Sequence, residues 1–90
     1  MKAVKGYTMK YYNEECKNEG GEVFGFENIE EAAKHLSAMT GITIEECKDG
    51  IENDTNCDWI VFENGKVYFR YYGVNYNEEY IDKIRQNHRC

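Results

Sequence analysis

Apolar and polar residues alternate in three stretches of the chain, and a period of two is typical of β-strands with a buried face. The first stretch is residues 3–12, and the second is Glu22–Phe26, in which Phe24 and Phe26 fall on the same face. The third, residues 58–72, contains two β-rich runs on either side of an Asn-Gly pair. The pattern therefore predicts four short strands, of which the last two form a hairpin.

The Asn64-Gly65 pair favours a two-residue type I′ turn, because both central residues of that turn need positive φ. Such a turn fixes the register of the hairpin and pairs Trp59 with Arg70. The face predicted to point into the core consists of Ile60, Phe62, Val67 and Phe69. The face predicted to lie outside consists of Trp59, Val61, Tyr68 and Arg70.

Three segments carry the start signals of α-helices. Asn28 and Thr43 are each followed three positions later by a glutamate, which makes a capping box, and Asn77 precedes an acidic first turn. Gly41 supplies a stop between the first two helices. The residues at helical spacing that we expect to face inward are Ile29, Ala32, Ala33, Leu36 and Met39, then Ile44, Cys47 and Ile51, and finally Tyr80, Ile81 and Ile84.

The elements follow one another in the order ββααββα. This order predicts an α+β fold, with an antiparallel sheet of about four short strands and three helices that cover it. The chain has 90 residues, contains no proline, and shows no Gly- or Ser-rich linker. We therefore expect residues 1–90 to form a single domain.

The composition points to a cytoplasmic protein without a metal or cofactor. No apolar run reaches the roughly 18–20 residues of a membrane span, and the first residues do not resemble a secretion signal. The gaps between the cysteines are irregular, whereas zinc sites usually present ligands in close pairs. In a reducing compartment we expect free thiols. The cysteines are Cys16, Cys47, Cys57 and Cys90.

Charge is distributed very unevenly along the chain, whose net charge is −6. Residues 18–65 contain twelve acidic residues against Lys34 and Lys48, whereas all eight tyrosines lie outside that segment. A solvated surface explains part of this pattern. Concentrated like charge also destabilises the compact state, however, and a strongly basic partner would use it.

Catalytic signals are weak. Nucleophiles and bases are few, and no spacing supports a particular pair, so we expect no enzymatic activity. The run from Asp54 to Asp58 begins like a calcium-binding loop, but Trp59 occupies the position where that loop needs glycine. We interpret this run as a polar loop before a strand.

Residues 21–49 have the helix start and stop signals of a helix-turn-helix. Within them, the run from Phe26 to Leu36 resembles the small modular repeats appended to phage homing endonucleases. That resemblance implies that the second helix approaches DNA. Here the second helix presents Glu45 and Glu46, which phosphates would repel. Direct nucleic-acid binding is therefore not expected.

As a type, a small, acidic, tyrosine-rich chain without a catalytic motif resembles the inhibitor proteins of phages and mobile elements, including anti-CRISPR and other DNA-mimic proteins. This resemblance implies a non-enzymatic inhibitor whose acidic surface occupies the basic groove of a nucleic-acid-binding nuclease or effector complex. It supplies no site residues. From charge and helical spacing, we expect the binding carboxylates to be Glu45, Glu46, Asp49, Glu52, Asp54 and Asp58.

A structural or regulatory interaction module is the alternative function. It would use the aromatic outer face of the hairpin, with Trp59 and Tyr68 as contact residues, and could act as a homodimer. The dependence of affinity on ionic strength distinguishes the two hypotheses. A carboxylate-driven complex weakens as ionic strength rises, whereas an aromatic interface does not.

Overall fold

A computed structural model describes residues 21–53 and 58–89. The described residues form three strands and three helices in the order βααββα. These elements are β1 (Glu22–Phe26), α1 (Ile29–Thr40), α2 (Ile44–Glu52), β2 (Trp59–Val61), β3 (Val67–Tyr71) and α3 (Glu78–His88). None of these helices is long and apolar enough to cross a membrane.

The three strands form one antiparallel sheet in the order β1-β3-β2, so β3 is central. The predicted α+β class is confirmed, and β1 begins and ends where its alternation predicts. The described residues contain three strands rather than four. The strand predicted over residues 3–12 lies outside the described residues, so the order ββααββα is matched only in part.

The hairpin between β2 and β3 forms, but its predicted register is wrong by one residue. Trp59 lies opposite Phe69, not Arg70. The amide of Gly65 donates to the carbonyl of Phe62, and the amide of Phe62 donates to the carbonyl of Lys66. Gly65 has a φ of 89°, whereas Asn64 is not among the described residues with positive φ. The connection is therefore a three-residue loop that ends in a left-handed glycine, not a type I′ turn.

This shift changes which residues of the hairpin share a face, because side chains alternate along a strand. Trp59 and Phe69 stack with ring centroids 4.3 Å apart, inside the core that the helices cover. Trp59 and Val61 were predicted outside and belong to this core. The opposite face holds Ile60, Phe62, Tyr68 and Arg70, and all four are buried as well.

The helices begin where their caps predict. The side chain of Asn28 accepts a hydrogen bond from the amide of Glu31 at the start of α1, and Thr43 and Asn77 cap α2 and α3 in the same way. Gly41 ends α1 with a φ of 79°. Ile44 was predicted to face inward, yet its side chain is 42% exposed, because it is the first residue of α2 and no earlier turn covers it.

Helix α3 is fixed against the outer edge of β1. Ile81 and Ile84 are buried, and the guanidinium of Arg85 donates to both carboxylate oxygens of Glu22 at 2.7–3.2 Å. Directly after α3, Arg89 forms an isolated antiparallel bridge with Phe24. The end of α3 therefore lies beside β1, although the two are far apart in sequence.

Candidate functional site

The acidic residues predicted to bind a partner lie mostly on α2. Glu45, Glu46 and Asp49 are exposed, and Glu52 is half-buried. Cys47 and Ile51 are buried against the rest of the domain, as their spacing predicts. The exposed carboxylates therefore point away from the core and are accessible to a partner.

Few contacts neutralise this surface. Among residues 21–53 and 58–89, no lysine or arginine lies within ion-pair distance of Glu45, Glu46 or Asp49. The one lysine of α2, Lys48, is directed to Glu30 of α1, with a separation of 3.6 Å between its Nζ and the carboxylate. The negative charge of α2 is consequently presented to solvent.

Two further carboxylates were predicted to belong to this surface, Asp54 and Asp58. Asp54 lies outside the described residues. Asp58 precedes β2, where its carbonyl accepts from the amide of Arg70 and its carboxylate lies 3.7 Å from the Arg70 guanidinium. The carboxylate of Asp58 therefore already has a basic neighbour, so it is less available to a basic partner than the carboxylates of Glu45 and Asp49.

The aromatic residues proposed as an alternative interface are not exposed. Trp59 is 5% exposed and Tyr68 is 8% exposed. Trp59 packs on Phe69 in the core, and Tyr68 packs edge-on against Phe62 at 4.4 Å on the opposite face of the sheet. The hairpin therefore presents no outer aromatic face through these two residues, because the register and the second apolar face bury both of them.

A second group of chemically active side chains lies between α1 and the end of α3. Glu31 and His35 are four residues apart on α1 and therefore share one side of that helix. His88 is the last residue of α3, and the bridge between Phe24 and Arg89 brings it next to β1. One ligand atom from each of Glu31, His35 and His88 lies within 4.8 Å of the other two.

Hydrogen bonds and ring packing fix the orientation of both imidazoles. Nδ1 of His88 lies 3.0 Å from the carbonyl oxygen of Gly25, and Nδ1 of His35 lies 2.8 Å from the hydroxyl of Tyr80. The ring of Phe26 packs against both histidines, with centroids 5.2 and 4.8 Å away. A carbonyl oxygen can only accept, so Nδ1 of His88 donates, and the lone pair of the neutral ring is on Nε2.

The carboxylate of Glu31 faces both rings. Its Oε1 lies 4.0 Å from Nε2 of His35 and 3.8 Å from Nδ1 of His88. Its Oε2 accepts from the amide of Glu27 just before α1, at 3.2 Å. The first turn of a helix also favours a negative charge, so the start of α1 holds the carboxylate in place.

Burial lowers the pKa of the His35 imidazole below its usual value of 6.5, and repulsion from His88 lowers it further. The carboxylate of Glu31 acts in the opposite direction with a smaller effect. His35 is therefore neutral at pH 7. A neutral imidazole carries the lone pair with which histidine accepts a proton or binds a metal.

An open cleft of about 500 Å³ reaches His88 and Glu31. Its basic side chains, Lys66 and Arg89, both have acidic neighbours. Nζ of Lys66 lies 4.0 Å from Glu27, and a guanidinium nitrogen of Arg89 lies 3.4 Å from Glu22. The cleft therefore gives solvent and small solutes a route to the imidazole and carboxylate groups.

The sequence predicts a binding surface on the acidic residues of α2 and does not predict the group of Glu31, His35 and His88. The spacing of Glu31 and His35 on a capped helix predicts that both side chains lie on the same side of that helix. His88 could not be assigned to the same place, because only the packing of α3 beside β1 brings it there.

The comparisons with known proteins give no family for this chain. No protein-family model, curated protein or solved structure matches it. The functional argument therefore depends on the surface and the site themselves.

Proposed function

We propose that this protein is a non-enzymatic, protein-binding inhibitor whose acidic α2 surface occupies a basic groove on its partner. By this hypothesis the partner is a nucleic-acid-binding nuclease or effector complex, as for the anti-CRISPR type of inhibitor. The observation that carries the proposal is the exposure of Glu45, Glu46 and Asp49, with no lysine or arginine of the described residues within ion-pair distance of them.

The arrangement of these carboxylates suits a long basic groove. Successive helical residues turn by about 100°, so Glu45, Asp49 and Glu52 lie along one side of α2. At about 1.5 Å of rise per residue, the three carboxylates cover about 10 Å of the helix. A groove that binds phosphates carries lysine and arginine side chains along its length, and these can pair with such a row.

Two exposed apolar side chains adjoin the acidic surface. Ile42 is 46% exposed in the connection between α1 and α2, and Ile44, at the start of α2, is nearly as accessible. Interfaces between proteins combine a small apolar contact with a polar surround. This combination supports a protein partner.

Charge reversal tests the proposal. After affinity capture from cells of the natural host, binding of the purified partner is measured for the Glu45→Lys/Asp49→Lys variant. The matched control is Glu63→Lys/Glu79→Lys, which changes the net charge equally at exposed residues elsewhere. We expect only the α2 variant to lose binding, and we expect the wild-type complex to weaken steeply between about 0.05 and 0.5 M salt.

A different outcome would favour the interaction-module hypothesis. Because Trp59 and Tyr68 are buried, we place the apolar contact of this alternative at Ile42 and Ile44, the exposed apolar residues that adjoin α2. A complex that is insensitive to salt, that survives charge reversal and that is lost on Ile42→Ser/Ile44→Ser would contradict the acidic-inhibitor proposal. Sedimentation analysis of the protein alone would show whether that contact forms a homodimer.

A further inference from the structure

We propose that Glu31, His35 and His88 form a binding site for a divalent transition-metal ion, with Zn²⁺ as the best fit. Two imidazoles and one carboxylate are a ligand set found in zinc sites, and imidazole nitrogen suits zinc better than calcium or magnesium. This inference does not depend on the acidic surface of α2. It also differs from the sequence-based expectation of no metal.

The measured separations are close to those of a metal-bound set. With bonds of about 2.0–2.2 Å, the ligand atoms of a tetrahedral zinc site lie about 3.3–3.6 Å from one another. Glu31 Oε1 lies 4.0 Å from Nε2 of His35. Because Nδ1 of His88 donates to the carbonyl of Gly25, this imidazole offers Nε2 to the ion. All three ligand atoms of the group fall within 4.8 Å of one another. Small side-chain rotations are enough to bring the atoms onto one ion.

The surroundings of the ligands are those that metal-binding histidines usually have. A ligating histidine commonly donates its second ring nitrogen to a backbone carbonyl or another polar group. His88 makes that bond to Gly25, and His35 has the Tyr80 hydroxyl at its Nδ1. The carboxylate of Glu31 is likewise held by the amide of Glu27. The three ligands are thus oriented before any ion binds.

The charge around the group permits a dication. Lys66 and Arg89 line the cleft, but each lies near a carboxylate, Glu27 and Glu22 respectively. The carboxylate of Glu31 supplies one negative charge directly. Three protein ligands leave the fourth tetrahedral position to water or a small solute, and the cleft provides room for it.

Zinc titration of tag-free protein, first treated with chelator and kept reduced, tests the proposal by calorimetry. We expect one zinc ion per chain. Glu31→Gln keeps an oxygen that can accept from the Glu27 amide but removes the carboxylate ligand, and we expect affinity to fall at least about tenfold. The matched control is Glu30→Gln, one position away on α1, which removes the same charge and should bind zinc like the wild type.

The cysteines are a competing source of zinc ligands. A cysteine-free variant distinguishes zinc binding by the thiols from zinc binding by Glu31, His35 and His88. Replacement of Cys16, Cys47, Cys57 and Cys90 should leave zinc binding unchanged, whereas His88→Ala should reduce it. Histidine ring ¹⁵N resonances should shift for both imidazoles on zinc addition. Circular dichroism of each variant shows that the fold persists.

Three results would overturn the site. These are no zinc uptake by the wild-type protein, zinc uptake that Glu31→Gln leaves unchanged, and zinc uptake that disappears in the cysteine-free variant. None of these results bears on partner binding by α2, so the two proposals can fail independently.

Discussion

Replacement of Trp59 by alanine should destabilise the domain by about 3–5 kcal/mol, the usual cost of deleting a large aromatic side chain from a core. The indole is 5% exposed, stacks on Phe69 at 4.3 Å with an angle of 13° between the rings, and lies 5.9 Å from the ring of Phe26. A domain of 90 residues is typically stable by about 5–13 kcal/mol, so this change removes a large part of the total. The smaller change Trp59→Phe keeps a stacked ring and should cost less.

Urea denaturation followed by circular dichroism measures these differences, because Trp59 is the chain's single tryptophan and its loss removes the fluorescence signal. The control is Val74→Ala, which removes methyl groups from a side chain that is 59% exposed. If Trp59→Ala costs no more than Val74→Ala, then Trp59 does not lie in the core described above.

Three further predictions concern other parts of the fold. Hydrogen bonds from Arg85 lower the pKa of Glu22, so the stability that this carboxylate contributes is present above its ordinary pKa of 4.5 and is lost as the pH falls. The free energy of unfolding in urea should therefore fall less between about pH 5 and pH 3 in Glu22→Gln than in the wild type. An unchanged pH dependence would contradict the hydrogen bonds between Arg85 and Glu22. Gly65→Ala should destabilise the protein by about 1–2 kcal/mol, because the φ of Gly65 is 89°. Gly50→Ala, within α2, should stabilise the protein slightly. Equal effects of the two substitutions on the free energy of unfolding would argue against the left-handed conformation of Gly65. Burial raises the pKa of the Cys47 thiol, so peptide mapping should find Cys47 unlabelled by iodoacetamide until urea unfolds the protein.

Helix ends were predictable from the sequence because their chemistry is local. Asn28, Thr43 and Asn77 each accept a hydrogen bond from an amide two or three positions later, so the signal and its partner lie within one turn. Gly41 ends α1 for an equally local reason, since it adopts the left-handed conformation that other residues resist. Strand β1 was predictable as well, because Phe24 and Phe26 alternate with less apolar neighbours.

The hairpin register was not predictable in the same way. Gly65 has positive φ in both the expected and the observed turn, so the glycine does not distinguish between them. The apolar pattern does not decide either. Both faces of the hairpin are buried, and Trp59, Ile60, Val61 and Phe62 are all apolar. A one-residue shift exchanges their faces without exposing an apolar residue, and only contact with β1 and the helices selects one arrangement.

The two proposed sites differ in how much of them the sequence could reveal, and the reason is sequence separation. Glu45, Glu46 and Asp49 are neighbours on one helix, so their common exposure follows from periodicity alone. Only Glu31 and His35 have that relation in the second site. His88 joins them because Arg89 pairs with Phe24 and the imidazole donates to Gly25. The same bridge that fixes α3 to the sheet therefore completes the ligand set, and a site of this kind can be found only after the fold is known.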